Sequence, residues 1–196
     1  MFAYIKGSLE EKTSTYVVID VGGVGYKIFM SVSSINNIGE IGNIVKVHTH
    51  YYVREDNISL YGFLTSEELK MFELLLSVSG VGAKSAITML SNISPSDFAL
   101  AIITNNIAAL TKIPGIGAKS AQRIILELKD KLKNIDTTSK TEEVTVKQKD
   151  NENAKDALDA LQILGYNKKE IEKAIQKMDI DEMSTEDIIK NALKLL

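Results

Sequence analysis

Gly80-Val81-Gly82-Ala83-Lys84-Ser85-Ala86 returns 35 residues later as Gly115-Ile116-Gly117-Ala118-Lys119-Ser120-Ala121, with six of seven positions identical and Val exchanged for Ile at the other. The likeness reaches backwards, Leu75 matching Leu110 and Val78 matching Ile113. A period of this length marks one supersecondary unit used twice. Each copy reads as an apolar helix, a tight Gly-x-Gly turn and a second helix opening at Ala-Lys-Ser-Ala. Glycine at both turn positions permits positive φ and the close approach of another backbone. The amides of the turn and of the first helical residues then point outward together, at the positive end of the helix dipole. Such a place favours an anion, phosphate above all. Lys84 and Lys119 sit just inside the helix starts, where an ammonium adds a phosphate contact, and Ala86 and Ala121 are small enough for each pair of helices to pack closely. A tight helical turn with no ligand is the plain alternative for one copy. Two near-identical copies with lysine at the same place favour the phosphate grip.

This is the helix-hairpin-helix pattern, a sequence-independent hold on a DNA backbone. Backbone contacts position a protein on DNA without reading bases, so recognition of shape is expected. The net charge of −3 and isoelectric point near 5.5 look wrong for such a partner until the chain is divided. Residues 1–64 carry net −1, residues 65–133 net +2 and residues 134–196 net −4. The repeat region alone is basic, with Lys112, Lys119, Arg123, Lys129, Lys131 and Lys133 crowded into its second half. Phosphate responds to local potential, not to the chain total. There is no cysteine, which excludes disulfides and thiolate metal sites and fits a reducing cytosol. No signal peptide is visible at the start, and no apolar run reaches the roughly 20 residues of a membrane-spanning helix.

Working outward, residues 1–64 read as β. Val17–Val21 and Tyr26–Met30 flank Gly22-Gly23 as a hairpin, and Ile44–Tyr51 and Ile58–Tyr61 alternate apolar and polar residues. Five short strands in this length suggest a small closed barrel of the oligonucleotide-binding type. Gly22–Gly25 is not a nucleotide loop, since the spacing is wrong and no helix follows. His48 and His50 share one face of a strand, but with no further ligand nearby no metal site is expected. Glu55-Asp56 places two adjacent carboxylates on a loop tip between strands, by itself a solvated turn.

Thr65-Ser66-Glu67-Glu68 has the spacing of a capping box and opens a helix with Leu69, Phe72, Leu75 and Leu76 on one face. Ser94-Pro95 starts another, Asn105-Asn106 ends it, and the helix after the second repeat runs to about Lys133. Residues 134–152 are polar, charged and free of aromatics, which is the composition of a mobile linker. Residues 153–196 form three short helices, with Gly165 as a helix stop, Asn167 and Glu170 capping the second and Ser184 or Thr185 the third. A unit this small, similar to a ubiquitin-associated fold, is commonly a docking module. Leu161, Leu164 and Tyr166 are its candidate exposed anchors, or else the filling of its small core. The fold expected is thus α+β and multidomain: barrel at 1–64, tandem helix-hairpin-helix at 65–133, linker at 134–152 and three-helix domain at 153–196.

Taken together, Val21-Gly22-Gly23-Val24-Gly25-Tyr26, Val53-Arg54-Glu55-Asp56, Leu60-Tyr61-Gly62-Phe63 and the twin hairpins resemble the RuvA family along the whole chain. The resemblance implies sequence-independent binding of four-way (Holliday) junction DNA in recombination and repair, by a cytoplasmic homotetramer or a pair of tetramers. It implies phosphate binding by Gly80, Gly82, Lys84, Gly115, Gly117, Lys119 and Arg123, and it makes Glu55 and Asp56 an acidic pin that pushes strands apart at the crossover. It further implies that the hexameric ATPase RuvB docks on the third domain, with the resolvase RuvC in a larger complex. Many relatives carry Pro where Ala83 stands and a second Lys where Ala118 stands, which shifts weight here onto Arg123 and the backbone amides. No Gly-x-x-x-x-Gly-Lys-Ser/Thr loop is present, so the chain is expected to hold no cofactor and catalyse nothing, ATP and Mg²⁺ being used by the partner. Two other readings remain open at this stage. One is a general duplex-binding repair protein. The other is a metal-dependent junction nuclease using Glu55 and Asp56.

Overall fold

The structure is a computed structural model that describes residues 2–55, 57–138, 152–180 and 183–196. They form two compact units, Met1–Ser94 and Pro95–Leu196. This division falls between the two hairpins, whereas the boundaries drawn from sequence at 64, 133 and 152 follow motifs.

In the first unit five strands close into a barrel: β1 (Tyr4–Lys12), β2 (Tyr16–Val21), β3 (Val24–Phe29), β4 (Ile44–Val53) and β5 (Ile58–Phe63), in the order β1-β2-β3-β5-β4 with β4 returning to β1. Neighbours are antiparallel except β3 and β5, which meet in parallel at Phe29 and Tyr61. The period-two pattern is the cause. Ile5, Leu9, Val17, Ile19, Ile28, Val45, Val47 and Leu60 point inward and form one core. Gly22 and Gly23 make the two-residue β2–β3 turn with φ of 64° and 89°, a geometry open to glycine at both positions. Gly7 is needed for a different reason: a Cβ there would lie 2.0 Å from the Asp20 carbonyl oxygen of β2.

Two local expectations need correction. Residues 1–64 are not β throughout, for α1 (Val32–Asn37) stands between β3 and β4, capped by the Ser31 hydroxyl accepting from Ser34 N–H at 3.1 Å. The Thr65 capping box is only half formed. Its hydroxyl accepts from Glu68 N–H at 3.2 Å. The Glu68 carboxylate, however, accepts from Leu64 N–H at 2.9 Å and from the Ser34 hydroxyl of α1 at 3.0 Å. Glu68 thereby ties the start of α2 (Ser66–Leu76) to the barrel. Phe72 of α2 covers Tyr61 and Phe63, with ring centroids at 5.1 and 4.9 Å, and α3 (Ala83–Leu90) completes the unit.

The second unit holds α4 (Pro95–Ile103), α5 (Ile107–Thr111), α6 (Ala118–Thr138), α7 (Glu152–Ile163), α8 (Lys168–Ile175) and α9 (Thr185–Leu193). α6 extends past Lys133 to Thr138, into the stretch read as linker. The rest of the expected tether, 139–151, lies outside the described residues. α7, α8 and α9 pack on one another as the three-helix domain, and α7 and α9 also lie against α4. A core this small gains from that extra apolar contact. Asn167 and Glu170 form the full capping box, and Ser184 is the cap of α9.

Leu161 and Leu164 are not exposed anchors. They are 0% and 1% exposed and belong to the core. Gly165, at φ 83°, ends α7 while Tyr166 N–H reaches back to the Leu161 carbonyl at 3.2 Å, and the Tyr166 side chain stays half-buried. Leu161→Ala is expected to cost about 2–5 kcal/mol in chemical denaturation. Gly7→Ala is expected to lower the calorimetric melting temperature by several degrees, since the added carbon meets backbone that cannot swing aside; an unchanged midpoint would contradict the close β1–β2 approach.

Candidate nucleic-acid interface

The two hairpins have the same backbone wiring. In the first, Val78 N–H donates to Leu75 C=O at 3.0 Å, Val81 N–H to Val78 C=O at 3.1 Å, and Ala86 N–H to Gly82 C=O at 3.0 Å. In the second, Ile113 N–H donates to Leu110 C=O at 3.1 Å, Ile116 N–H to Ile113 C=O at 3.1 Å, and Ala121 N–H to Gly117 C=O at 2.9 Å. Leu75, Val78 and Ala86 are 0–2% exposed and Leu110, Ile113 and Ala121 are 0–3%, so each hairpin is pinned by the same three buried side chains.

The bond pattern leaves the amides of residues 83–85 and 118–120 ahead of the first helical bond of α3 and α6. Gly82 caps α3 with no side chain to accept from them. Neither helix has an acidic residue in its first turn, so nothing there cancels the dipole. Lys84, Ser85, Lys119 and Ser120 are exposed beside these amides, and Arg123 is exposed one turn on. An anion can thus meet main-chain N–H groups, a hydroxyl and an ammonium from one side.

Of the two uses expected of glycine in the turn, positive φ and the close approach of another backbone, the two positions differ in the first. Gly80 and Gly115 have positive φ, at 79° and 82°. Gly82 has φ −97°, and Gly117 is likewise outside the left-handed region. A Cβ at Gly82 or Gly117 would meet no atom of the chain within 4 Å. Neither backbone strain nor internal crowding asks for glycine at the second position. What its missing side chain does is leave the approach to the amides clear.

The acidic loop is a tight hairpin tip. Arg54 N–H donates to Asn57 C=O at 2.8 Å and Asn57 N–H returns to Arg54 C=O at 3.4 Å, with Val53 paired to Ile58 below. Glu55 stands exposed at the tip; Asp56 lies outside the described residues. The tip is braced by a stack that the sequence reading missed: the Arg54 guanidinium lies 5.2 Å from the Tyr52 ring centroid, and its Nε donates to the Tyr52 hydroxyl at 2.8 Å. The signal was present, since residue 54 follows the end of β4 two positions after Tyr52, the spacing that puts side chains of an extended chain on one face.

Of His48 and His50, the second is engaged with α2. His50 Nδ1 lies 3.0 Å from Glu73 Oε1 and the ring meets Phe72 edge-on at 5.3 Å, which joins β4 to α2. Among the described residues no group of three His, Asp or Glu side chains could hold a metal ion. Among the described residues no single helix is long and apolar enough to cross a membrane.

Comparison with known proteins agrees with this organisation. Residues 1–62 match the RuvA N terminal domain, 72–130 the SAM-like helix-hairpin-helix tandem, and 152–196 the RuvA C-terminal domain. The chain is 55% identical to the Holliday junction branch migration complex subunit RuvA of Acetivibrio thermocellus, over 99% of this chain and 98% of the relative. It is 48% identical to the protein of that name from Ruminiclostridium cellulolyticum over the full length of both. With the Geobacter sulfurreducens protein it shares 41% identity over 100% of this chain and 99% of the relative. With a barrel, twin hairpins and a three-helix domain in matching order along the whole length, the chain belongs to the RuvA family.

Proposed function

We propose that this protein binds four-way junction DNA by shape, without reading sequence, and serves as the DNA-holding subunit of a branch-migration complex whose ATPase is a RuvB-type partner. The observation that carries the reading is the duplicated hairpin, with identical wiring, unblocked amides and a lysine at the same place in both copies. A protein with two such grips holds duplex arms by their phosphates. Arms held only by backbone can slide, since every base step presents the same phosphates.

The pin supplies the second half of the selection. In a tetramer, four copies of Glu55 and Asp56 would converge where four strands cross. Their charge repels phosphate within a screening length of about 8 Å at physiological salt. Attraction along the arms and repulsion at the centre together favour a branched substrate over a straight one. The chain takes the role of a non-catalytic subunit: binding does the work, the partner spends the ATP, and the third domain recruits it. Since Leu161 and Leu164 are buried, that contact falls to other residues of the domain; its exposed apolar side chains include Leu195 and Leu196. RuvC would join the same assembly, in the cytoplasm. The relatives' names give the nuclease alternative no support.

Two outcomes test this. Lys119→Ala should flatten the slope of log affinity against log salt for junction DNA by about one unit, because one phosphate contact is lost; an unchanged slope would remove Lys119 from the interface. Glu55→Gln combined with Asp56→Asn should keep or strengthen junction binding while reducing selectivity over duplex in band-shift titrations. Collapse of binding would make these carboxylates structural and sink the repulsive pin.

A further inference from the structure

The two hairpins share their wiring but not their bracing. In the first, α3 is fastened to α1: Val32 N–H donates to the Ser91 hydroxyl oxygen at 3.1 Å, and the Ser33 hydroxyl donates to Leu90 C=O at 3.4 Å. In the second, Lys129 of α6 reaches back 26 residues, and its Nζ donates to the carbonyl of Ile103, the last residue of α4, at 2.7 Å. The residue matching Lys129 one repeat earlier is Ser94, past the end of α3 at Leu90 and too short to repeat the contact.

The need for a donor at Ile103 follows from how α4 ends. Asn106 N–H donates to Ala101 C=O at 2.8 Å and Asn105 N–H to Ile102 C=O at 3.3 Å, the pair of bonds that closes a helix through a left-handed residue. Asn105 is that residue, at φ 53°, the only non-glycine with positive φ among the described residues. Leu100 C=O accepts from Thr104 N–H at 3.0 Å. This ending supplies no main-chain donor to Ile103, whose carbonyl lies at the negative end of the helix dipole. The half-buried Lys129 brings an ammonium to it. Beyond the corner, Asn106 caps α5 by accepting from Ala109 N–H at 3.0 Å. The chain thus leaves this corner, makes α5, the Gly115–Gly117 turn and α6, and is tied by Lys129 to the corner where it began.

We propose that Lys129 is a positioning residue for the second phosphate grip, fixing the direction in which α6 presents the amides of residues 118–120. It does not touch the phosphate itself. Lys129 stands eleven residues beyond Ala118, about 16 Å along the helix axis, out of reach of an anion at the helix start. One of the basic residues crowded between Lys112 and Lys133 therefore acts on α4 and not on DNA. Ile124, Ile125 and Leu128 are buried and hold α6 as well, but apolar contact has no direction. The hydrogen bond supplies one. The role rests on the phosphate grip proposed above, and it concerns the second copy only, since the first hairpin belongs to the other compact unit.

The test is a double-mutant cycle with the full-length chain and four-way junction DNA, with hydrogen exchange of the free protein beside it. Lys129→Met keeps an apolar stem and removes the donor. Alone, or combined with Lys84→Ala, it should weaken binding at least about fivefold; combined with Lys119→Ala it should cost less than about twofold further, because both act through one grip. Lys129→Arg, which again offers donors, should bind within about twofold of the unaltered chain. In the free protein Lys129→Met should speed exchange of the Ile116 and Ala121 amides and leave those of Val81 and Ala86 unchanged. Equal losses in all three backgrounds overturn the proposal, since an independent phosphate contact or a general loosening gives that result. Unaltered affinity overturns it too, as does exchange that quickens in both hairpins alike. If Lys129→Met does not fold, Lys129→Gln, with a shorter stem, goes through the same cycle and exchange measurement. Should Lys119→Ala leave binding untouched, the grip reading falls. The exchange pattern then decides the brace by itself: it stands if the change is confined to the second hairpin and falls if there is none.

Discussion

The structure turns on main-chain amides that a helix cannot satisfy for itself. A Gly-x-Gly turn closed by two consecutive three-residue hydrogen bonds delivers the chain into a helix whose first N–H groups face outward. An anion completes that arrangement at little cost, because the donors are fixed before it arrives. The chain makes this arrangement twice, at residues 80–86 and 115–121, with the same buried supports beneath. Lysine adds charge beside each, but geometry comes from the backbone. That explains how a chain of net charge −3 can suit a polyanion.

The barrel supplies rigidity of a different kind. Its closed sheet fixes β4 and β5 in register up to the Val53–Ile58 pair, so Glu55 is carried on a braced tip and not on a loose loop. Glu68 and the His50–Glu73 contact then fasten α2 to the same strands and to α1. α2 leads directly into the first hairpin. The acidic tip and the first Gly-x-Gly turn are therefore parts of one packed unit, and neither can drift without disturbing aromatic contacts of about 5 Å at Phe72.

How much of this could be read from the sequence depended on range. The hairpins were legible because their wiring spans three or four residues and the repeat prints it twice. The strands were legible from their alternation, and the Gly22-Gly23 turn from its dipeptide. α1 was missed because Val32–Asn37 is too short to show a helical period, and only the Ser31 cap betrays it. The bond from Ser34 to Glu68 joins residues far apart in the chain, which no local pattern reports. Leu161 and Leu164 were ambiguous for a physical reason: apolar spacing on a helix gives a stripe but not what covers it. For the second glycine of each turn the sequence left two needs open, φ or approach, and the backbone at Gly82 removes the first.

The account rests on preference for crossed over straight DNA. The direct measurement is competition between a four-way junction and a linear duplex with the same arm sequences, at about 0.15 M salt, where weak surface electrostatics are screened. The account predicts that the junction wins by at least about tenfold, roughly 1.4 kcal/mol. Equal affinity would contradict it and leave only a general duplex-binding protein.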